Sequence, residues 1–517
     1  MQLIKTFGSS VQGVNAFTVT IEVNVSTTGA AAEFKYFMVG LPDNAVRESW
    51  HRVETAMKHN NYSMPRTKIV VNLSPADVRK EGTLYDLPIA IGILASSMQM
   101  TSHKLNDYII LGELSLDGTI KPIKGALPVA IQARKEGFKG FILPKQNARE
   151  AAIVSDLKVY GVEHMNEVVQ FLCEELILEE TIVNTRDEFF NQVGDTDIDF
   201  SDVKGQENIK RALEIAAAGG HNAILIGPPG AGKTMLAKRL PGILPPLSLS
   251  EALETTKIHS VAGKLPADSA LMYARPFRNP HHTISDVALV GGGNNAQPGE
   301  ISFAHNGVLF LDELPEFKRN VLEVLRQPME ERRVTISRAR FSVEYPANFM
   351  LLAAMNPCPC GFFNHPDKDC VCGPGVVQKY LNRISGPLLD RIDLHVEVVP
   401  VGVKELSQVS ESERSEMIRK RVIVARQIQE LRFADNLIHS NSQMNAKQVK
   451  EICVITSAGQ SLLNKAMEKL GLSARAYDRI LKVSRTIADL SASQEIKIEH
   501  LAEAIQYRSL DRDNWAA

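Results

Sequence analysis

The sequence predicts an α/β protein in three parts: an N-terminal α/β domain, a parallel α/β core and a C-terminal helical region. Short β-rich runs alternate with helical stretches up to about residue 170, whereas all-apolar runs that end in polar residues mark the middle of the chain. Beyond Val403 the pattern is nearly all helical. At 517 residues the chain is also too long for a single hydrophobic core.

The composition is that of an ordinary globular protein without a strong charge. Hydrophobic residues make up 44% and charged residues 23% of the chain, and the formal net charge is -2. Any surface that binds nucleic acid must therefore be local. No run of about 18 apolar residues is present to span a bilayer, and the N-terminus lacks the apolar core of a signal peptide. We therefore expect a cytoplasmic protein that does not enter a membrane.

The first predicted domain covers residues 1–172, in which β-rich runs such as Phe17 to Val25 alternate with helical stretches. Residues 173–198 are predicted to be an acidic linker. Between Glu174 and Asp202, ten acidic residues face a single basic residue, Arg186, and apolar periodicity is weak. Such composition is typical of a solvated connection.

A glycine-rich loop lies between the apolar run Ala223 to Ile226 and the helix-forming run Met235 to Leu240. Its glycines allow consecutive backbone N–H groups to turn inward around phosphate oxygens. Lys233 would then reach the β- and γ-phosphates of ATP, and Thr234 would hold Mg²⁺. The spacing predicts a nucleotide-binding loop formed by Gly227, Pro228, Pro229, Gly230, Ala231, Gly232, Lys233 and Thr234.

Two later all-apolar runs end in polar residues that suit hydrolysis. Val308 to Leu311 is followed by Asp312 and Glu313, and Phe349 to Met355 is followed by Asn356. Ligands of open parallel sheets bind at the carboxyl ends of the strands, so these side chains are expected near the phosphate loop. We expect Asp312 to hold Mg²⁺, Glu313 to polarise the attacking water and Asn356 to orient that water.

The long connection before the second apolar run contains a basic stretch, Arg275 to His282, and a glycine-rich stretch, Gly291 to Asn295. So long a connection usually carries function, and contact with phosphate, DNA or a neighbouring subunit stands beside plain loop packing as an interpretation. Adjacent histidines in an extended segment point to opposite faces. His281 and His282 are therefore expected to be poor partners for one metal ion.

A hairpin is predicted between Arg332 and Tyr345, because the apolar positions change parity within this stretch. The turn is expected near residues 337–340, which places Arg338 and Arg340 at the tip. Contacts to a DNA backbone need charge and reach rather than base reading, so these two arginines are candidate DNA ligands. A merely solvated hairpin is the alternative.

Four cysteines lie close together in the sequence. Cys358-Pro-Cys360 is followed, after nine intervening residues, by Cys370-Val-Cys372. Four thiolates on one loop can satisfy a tetrahedral Zn²⁺ ion, which would order a segment rich in glycine and proline. Reduced free thiols and a redox pair are the alternatives.

The C-terminal part, residues 403–517, is predicted to be a helical lid. Ser473 is a suitable N-cap for a helix whose apolar face includes Ile480 and Val483. Arg475 lies in the first turn of this helix, where its charge opposes the helix dipole. This local conflict suggests that Arg475 binds an anion.

The first domain resembles the protease domain of Lon in the stretch Leu111 to Lys124 and in the apolar run that follows. In place of the family's nucleophilic Ser the chain has the stretch Glu81 to Pro88, and the family's Lys aligns at or near Leu127. Without a nucleophile and a base, acyl transfer is not available. We expect a degenerate Lon-protease-like domain that is proteolytically inactive.

The phosphate loop, the paired acids, the terminal Asn and the helical lid together resemble an AAA+ ATPase module. More narrowly, residues 275–400 look like the magnesium-chelatase-like group, and the whole chain is similar to the bacterial ComM/YifB family. The resemblance implies an AAA+ core at residues 199–402, with a Cys-rich loop at 358–372. It is carried by the segments Arg275 to Thr283, Pro298 to Ser302, Gly307 to Leu314, Asn356 to Gly361 and Ser385 to Asp393.

The resemblance also implies a homo-hexameric ring in which Arg391 is the arginine finger that enters the neighbour's site and Arg475 is the second sensor. An Arg supplied in trans agrees with the chemistry, because charge develops on the γ-phosphoryl oxygens. The implied activity is that of a DNA helicase that branch-migrates single-stranded or branched DNA in homologous recombination and natural transformation. The alternatives are a magnesium-chelatase-like motor that remodels a protein partner or inserts metal into a porphyrin, an ATP-dependent protease, and a scaffold that binds nucleotide without turnover.

Overall fold

The chain divides into two units in the computed structural model, which describes residues 3–26, 36–184, 198–266, 269–293, 295–338, 342–365, 367–400, 412–434 and 438–508. One unit comprises Met1–Val193 and Leu249–Tyr273, and the other comprises Gly194–Ser248 and Ala274–Ala517. The chain therefore passes from one unit to the other three times.

Strands occupy mainly the first four-fifths of the chain. In order they are β1 (Ile4–Gln12), β2 (Asn15–Val25), β3 (Tyr36–Val39), β4 (Ile69–Ser74), β5 (Tyr108–Ile110), β6 (Glu113–Leu114), β7 (Ile120–Lys121), β8 (Gly140–Pro144), β9 (Lys158–Val162), β10 (Ala223–Ile226), β11 (Phe277–Arg278), β12 (Gly291–Gly292), β13 (Gln297–Pro298), β14 (Val308–Leu311), β15 (Arg333–Ser337), β16 (Ser342–Pro346), β17 (Met350–Met355) and β18 (Leu394–Glu397).

Helices connect these strands and then take over the C-terminal part. In order they are α1 (Asn44–His59), α2 (Asp86–Ser96), α3 (Ala126–Lys135), α4 (Lys145–Ala151), α5 (Met165–Leu172), α6 (Glu207–Gly219), α7 (Lys233–Arg239), α8 (Leu249–Ala262), α9 (Asp286–Val290), α10 (Glu300–Phe303), α11 (Arg319–Glu323), α12 (Arg326–Glu331), α13 (Val376–Leu381), α14 (Gly386–Leu389), α15 (Ser415–Arg432), α16 (Ala446–Ile452), α17 (Ser457–Leu470), α18 (Ala474–Leu490) and α19 (Ile498–Gln506). No helix in the described ranges is both long and apolar enough to cross a membrane.

The first unit is built on a mixed seven-stranded sheet with the order β3-β4-β2-β1-β5-β8-β9. β1 and β2 pair antiparallel along their whole length, whereas β5, β8 and β9 run parallel to one another. The inward-facing side chains of β2, including Val19, Ile21 and Val23, are fully buried. Every residue of α2 is buried where this helix packs on β1 and β2. The core of the unit therefore lies between the sheet and this apolar helix.

The segment Leu249–Tyr273 packs within the first unit, although the sequence assigns it to the ATPase core together with the rest of residues 199–402. Its helix α8 lies against α3, and the backbone N–H of Gly125 donates to the carbonyl of Ser260 at 3.1 Å. The Ser260 hydroxyl contacts the buried carboxylate of Glu150, which also accepts from the Leu127 N–H at 2.9 Å. Tertiary docking of this kind is invisible in a local sequence pattern, because the partners lie more than 100 residues apart.

The second unit contains a parallel five-stranded sheet with the order β11-β14-β17-β10-β18. The three central strands β10, β14 and β17 are buried along their entire length, as their all-apolar sequences predict. β17 lies between β10 and β14, so the carboxyl ends of these strands open at one edge of the sheet. The predicted α/β fold class is confirmed.

The C-terminal helices α15 to α19 pack together and against α6 of the same unit. α18 begins directly after Ser473, the predicted N-cap, and the Ala476 N–H donates to the Ser473 hydroxyl at 3.3 Å. Ile480 and Val483 are buried on its apolar face. Residues 403–411 of the predicted lid lie outside the described residues.

Candidate active site

The glycine-rich loop follows β10 and leads directly into α7, which begins at Lys233. Gly230 and Gly232 have φ values of 78° and 86°, a left-handed conformation that side-chain-bearing residues adopt at a cost. Gly227 is required for a different reason, because a Cβ atom at this position would lie 2.4 Å from the carbonyl oxygen of Val398. The loop conformation thus depends on glycine at these positions.

Lys233 connects the loop with the end of β17. Its ammonium donates to the carbonyl oxygens of Gly227 at 2.6 Å and Pro228 at 2.9 Å, and to the Asn356 side chain at 3.1 Å. Burial lowers the pKa of Lys233, although the nearby Asp312 and Glu313 act in the opposite direction. The structure therefore brings Lys233 and Asn356 together as the sequence predicts.

Thr234 and Asp312 form the second contact between the loop and the sheet. The Thr234 hydroxyl donates to Asp312 Oδ2 at 2.6 Å, and the other carboxylate oxygen accepts the backbone N–H of Glu313 at 3.0 Å. A hydroxyl beside a carboxylate is the donor set that Mg²⁺ prefers, since this ion takes oxygen ligands and relies on one or two carboxylates. These residues fit a Mg²⁺ ion bound with a nucleotide.

Glu313 has a φ of 53°, in the left-handed region that a glutamate rarely adopts. Strained backbone of this kind persists where the surrounding structure imposes it, commonly at functional sites. The carboxylate is 58% exposed, and its Oε2 atom lies 3.5 Å from His282 Nδ1. Glu313 is therefore directed away from the core, beside an imidazole.

The position of His282 differs from the expectation for two adjacent histidines. Ile284 N–H donates to the His281 carbonyl at 3.0 Å, so the chain turns at these residues instead of remaining extended. The two rings are in contact on the same side of the chain, with centroids 4.1 Å apart and planes tilted by 34°. The expectation that His281 and His282 point to opposite faces is wrong, because it assumed an extended backbone.

Arg391 is held by contacts within its own chain. Its side chain is 9% exposed, forms an ion pair with Glu330 and donates to the Pro387 carbonyl at 2.6 Å. Arg475 is 62% exposed, and its guanidinium lies 3.7 Å from the carboxylate of Asp390. Neither arginine contacts Lys233 in the described part of the chain. The catalytic residues predicted from the sequence therefore fall into two groups, one at the phosphate loop and one formed by Arg391 and Arg475.

The predicted hairpin is formed by β15 and β16, which pair antiparallel from Arg333 to Ser337. Ile336 faces Val343 across the pair and both are buried, which accounts for the change of parity in the sequence. Arg338 follows β15 directly and passes over Gly292, where a Cβ atom would lie 3.0 Å from its guanidinium. Arg340 lies outside the described residues.

Known proteins resemble this chain over nearly its full length. Competence protein ComM of Haemophilus influenzae is 44% identical over 519 residues, which cover 99% of this chain and 98% of that protein. The chain belongs to the ComM/YifB family. YifB of Escherichia coli is also 44% identical, and the match covers 97% of this chain and 96% of that protein.

Family models match three successive stretches of the ComM/YifB chain. "Magnesium chelatase, subunit ChlI" matches residues 199–406, "Subunit ChlI of Mg-chelatase" matches residues 21–147, and "Magnesium chelatase, subunit ChlI C-terminal" matches residues 412–508. Lon protease 2 of Bacillus subtilis is 29% identical over 189 residues, or 31% of this chain and 33% of that protein. This AAA+ group implies ATPase activity with ATP and Mg²⁺, and the partial similarity to Lon supports a Lon-like domain.

The four cysteines of the ComM/YifB chain lie together in space. Their sulfur atoms are all within 4.8 Å of one another, with Cys358 Sγ 3.3 Å from Cys360 Sγ and 3.7 Å from Cys370 Sγ. A tetrahedral zinc ion with Zn–S bonds of about 2.3 Å needs sulfur atoms about 3.8 Å apart. Although burial acts in the opposite direction, hydrogen bonds from Phe362 and Cys358 lower the pKa of Cys360 to about 6. These thiols, including that of Cys372, fit a zinc ion.

Sequence reasoning missed two residues of this site. The His282 imidazole lies beside Glu313, and Glu330 holds Arg391. His282 belongs to a conspicuous basic stretch, but only the fold shows which side chain it reaches. Glu330 carries no motif at all, so no signal in a single sequence would have selected it.

Proposed function

We propose that this ComM/YifB chain is an ATP-driven motor that forms a hexameric ring and moves DNA as a helicase in branch migration. The observation that carries the proposal is the division of the catalytic residues. Lys233, Thr234 and Asp312 gather at the phosphate loop, while Arg391 is held elsewhere in the same chain. An arginine supplied by a second copy would complete such a site.

Within one subunit, Lys233 would bind the β- and γ-phosphates, and Thr234 and Asp312 would hold Mg²⁺. The ion, when bound, neutralises charge on the phosphate oxygens. Glu313 accepts a proton from the attacking water and Asn356 orients that water, while His282 restrains the Glu313 carboxylate. The exposure of Glu313 agrees with this role, since a water molecule must reach it.

Assembly completes the site. An arginine supplied in trans can raise the hydrolysis rate by roughly 10³ to 10⁵, so a subunit alone would be a poor ATPase. Arg391 must then leave Glu330, which is 57% exposed and therefore holds the finger only through a partly solvated contact. Arg475 acts as the second sensor at the first turn of α18, close to Asp390.

The DNA substrate is supported by Arg338 at the tip of the β15–β16 hairpin and by the competence relative. A cation at the end of a narrow hairpin suits contact with a phosphate backbone, which requires charge and reach. By analogy with ComM we propose natural transformation and homologous recombination as the setting. Cytoplasmic location and Arg340 as a second DNA ligand remain predictions from the sequence.

The test is the ATPase rate of the purified protein with and without single-stranded or branched DNA at low salt. We expect DNA to stimulate turnover, and we expect Arg338→Ala to lose the stimulation while basal turnover is kept. Arg333→Ala is the matched control, since Arg333 lies at the base of the same hairpin and pairs with Glu331 and Glu344. No binding and no stimulation by any DNA would exclude the DNA motor.

A second candidate is a magnesium-chelatase-like motor that remodels a protein partner. It is favoured by the family models, all of which carry the name of a magnesium chelatase subunit. This second candidate would be supported by an ATPase rate that does not change when DNA is added and increases when a co-purifying protein is added.

We also propose that the cysteine cluster holds a structural zinc ion. Elemental analysis of the purified protein should find about one zinc per chain, and Cys358→Ser should lower the content strongly because Cys358 is the buried member. Metal-free wild-type protein would exclude the proposal.

A further inference from the structure

A buried carboxylate lies two residues after Arg391. Asp393 is 3% exposed, directly precedes β18 and forms an ion pair with Arg479 of α18. It also accepts the Asn222 N–H at 3.1 Å and lies 3.4 Å from the His221 ring. Burial opposes its charge, but Arg479 and His221 hold the pKa of Asp393 well below its usual range. Asp393 is therefore ionised, and it takes no part in the contacts described above for the ATP site.

The partners of Asp393 also hold the backbone of Arg391. Asn222 Nδ2 donates to the Arg391 carbonyl at 3.1 Å, and Arg479 Nη1 lies 3.4 Å from the same oxygen. Asn222 and Arg479, which both contact the Asp393 carboxylate, thus also both approach the carbonyl oxygen of Arg391. The position of the Arg391 backbone therefore depends on the pair formed by Asp393 and Arg479.

The same lid helix carries the second sensor. Arg475 and Arg479 are four residues apart on α18 and so lie on one face of it. Arg475 approaches Asp390, and Arg479 pairs with Asp393, so two arginines of the lid contact acids on either side of Arg391. A shift of α18 would move both contacts together.

We propose that Asp393 is a positioning residue for Arg391. Through Arg479 it transmits the position of the lid helix, and hence the nucleotide state sensed by Arg475, to the arginine that completes the neighbouring subunit's site. This inference rests on the proposed ring in which Arg391 acts in trans. It adds that Asp393 affects hydrolysis in the next subunit and not in its own.

The test uses mixed rings of full-length variants. Lys233→Ala inactivates its own site but keeps Arg391, whereas Asp393→Asn keeps the volume of the side chain and removes its charge. Each variant alone is expected to lose tenfold or more of the ATPase rate. When the two are mixed in equal amounts, random assembly gives up to about a quarter of the sites both an intact loop and an intact finger. ATPase activity should therefore recover to several times that of either variant.

The control mixture is Arg391→Ala with Lys233→Ala. If this control recovers and the Asp393→Asn mixture does not, Asp393 serves its own site or merely the fold, and the inference fails while the ring proposal stands. If the control itself does not recover, Arg391 does not act in trans and the proposed function fails first. Should Asp393→Asn not fold, Arg479→Gln carries the same test, because the Arg479 side chain is 22% exposed. Arg479→Lys, which keeps the charge, should retain more activity than Arg479→Gln.

Discussion

Asp86 of the first unit and Asp393 of the second are both buried beside an arginine, and the two carboxyl groups behave in opposite ways. In the first unit burial raises the pKa of Asp86 to about 6, although Arg52 donates to it at 2.6 and 2.9 Å. In the second unit burial acts in the same direction on Asp393, but Arg479, His221 and Lys482 together hold the pKa of this carboxyl group well below its usual range. One arginine and one backbone N–H, from Leu114, therefore do not offset the burial of Asp86, whereas the three basic side chains near Asp393 do offset its burial.

The difference also separates stability from function. Asp86 lies in the stretch Glu81 to Pro88, where Lon-like proteases carry their nucleophile, and its contacts stay inside the first unit. Asp393 connects the lid with the segment that carries Arg391. We therefore expect changes at the first pair to alter folding, and changes around the second to alter turnover.

Arg52→Met should have the largest effect on folding. It leaves the Asp86 carboxyl group buried without its cation, which costs about 3 to 5 kcal/mol when one partner of a buried pair is removed. Chemical denaturation of the full-length protein at pH 7 should show this loss, and Arg52→Lys, which keeps a positive charge, should lose less. Equal stability of the wild type and Arg52→Met would contradict the proposal that the Arg52–Asp86 pair serves folding while the Arg479–Asp393 pair serves turnover.

Glu313→Gln should reduce kcat by roughly 10²-fold or more, because the amide cannot accept the proton of the attacking water. Nucleotide affinity and the melting temperature should stay close to the wild type, since the Glu313 side chain is exposed. Steady-state ATPase assays and nucleotide titration measure the two quantities. Glu316→Gln, which alters an exposed neighbour that pairs with Arg383, is the control and should keep full turnover.

The raised pKa of Asp86 predicts how the stability of the folded protein changes with pH. Because the folded-state pKa of Asp86 is raised from 3.8 to about 6, the folded protein binds this proton more tightly than the unfolded chain. The contribution is fully present below pH 3.8 and is lost as pH rises through about 6. It amounts to roughly 3 kcal/mol. Between pH 4 and 7 the wild type should lose most of that amount relative to Asp86→Asn, and a difference that does not change with pH would contradict the assignment.

Ser260→Ala should have the smallest effect, about 1 kcal/mol, through the lost hydrogen bond to the buried Glu150 carboxylate. Ser250→Ala, at an exposed position of the same helix, should leave the free energy of unfolding unchanged. Thermal denaturation distinguishes the two variants. An equal effect of both would show that α8 does not depend on its contact with Glu150.

Much of the second unit follows from local sequence. All-apolar runs identify the buried strands, and the polar residues Asp312 and Asn356 at their ends locate the site because parallel strands share one open edge. Parity alone predicts the hairpin that ends near Arg338. These features depend on periods of two to four residues, which a single sequence displays directly.

Contacts between distant residues do not follow from it. Asp393 and Arg479 are 86 residues apart, and nothing in either neighbourhood indicates that the lid helix meets the Arg391 segment. The docking of α8 in the first unit and the position of His282 beside Glu313 also depend on contacts between residues far apart in the sequence. Such contacts are set by tertiary packing, which overrides the tendencies of each local stretch.

The allocation of Leu249–Tyr273 to the first unit means that the protein cannot be cut in two at the acidic linker. A fragment that starts at residue 199 keeps α8 but loses α3 and Glu150, on which α8 packs in the full chain, so the face of α8 that meets α3 becomes exposed. Such a fragment should aggregate. Any exchange of the first unit between relatives must therefore carry both of its chain segments.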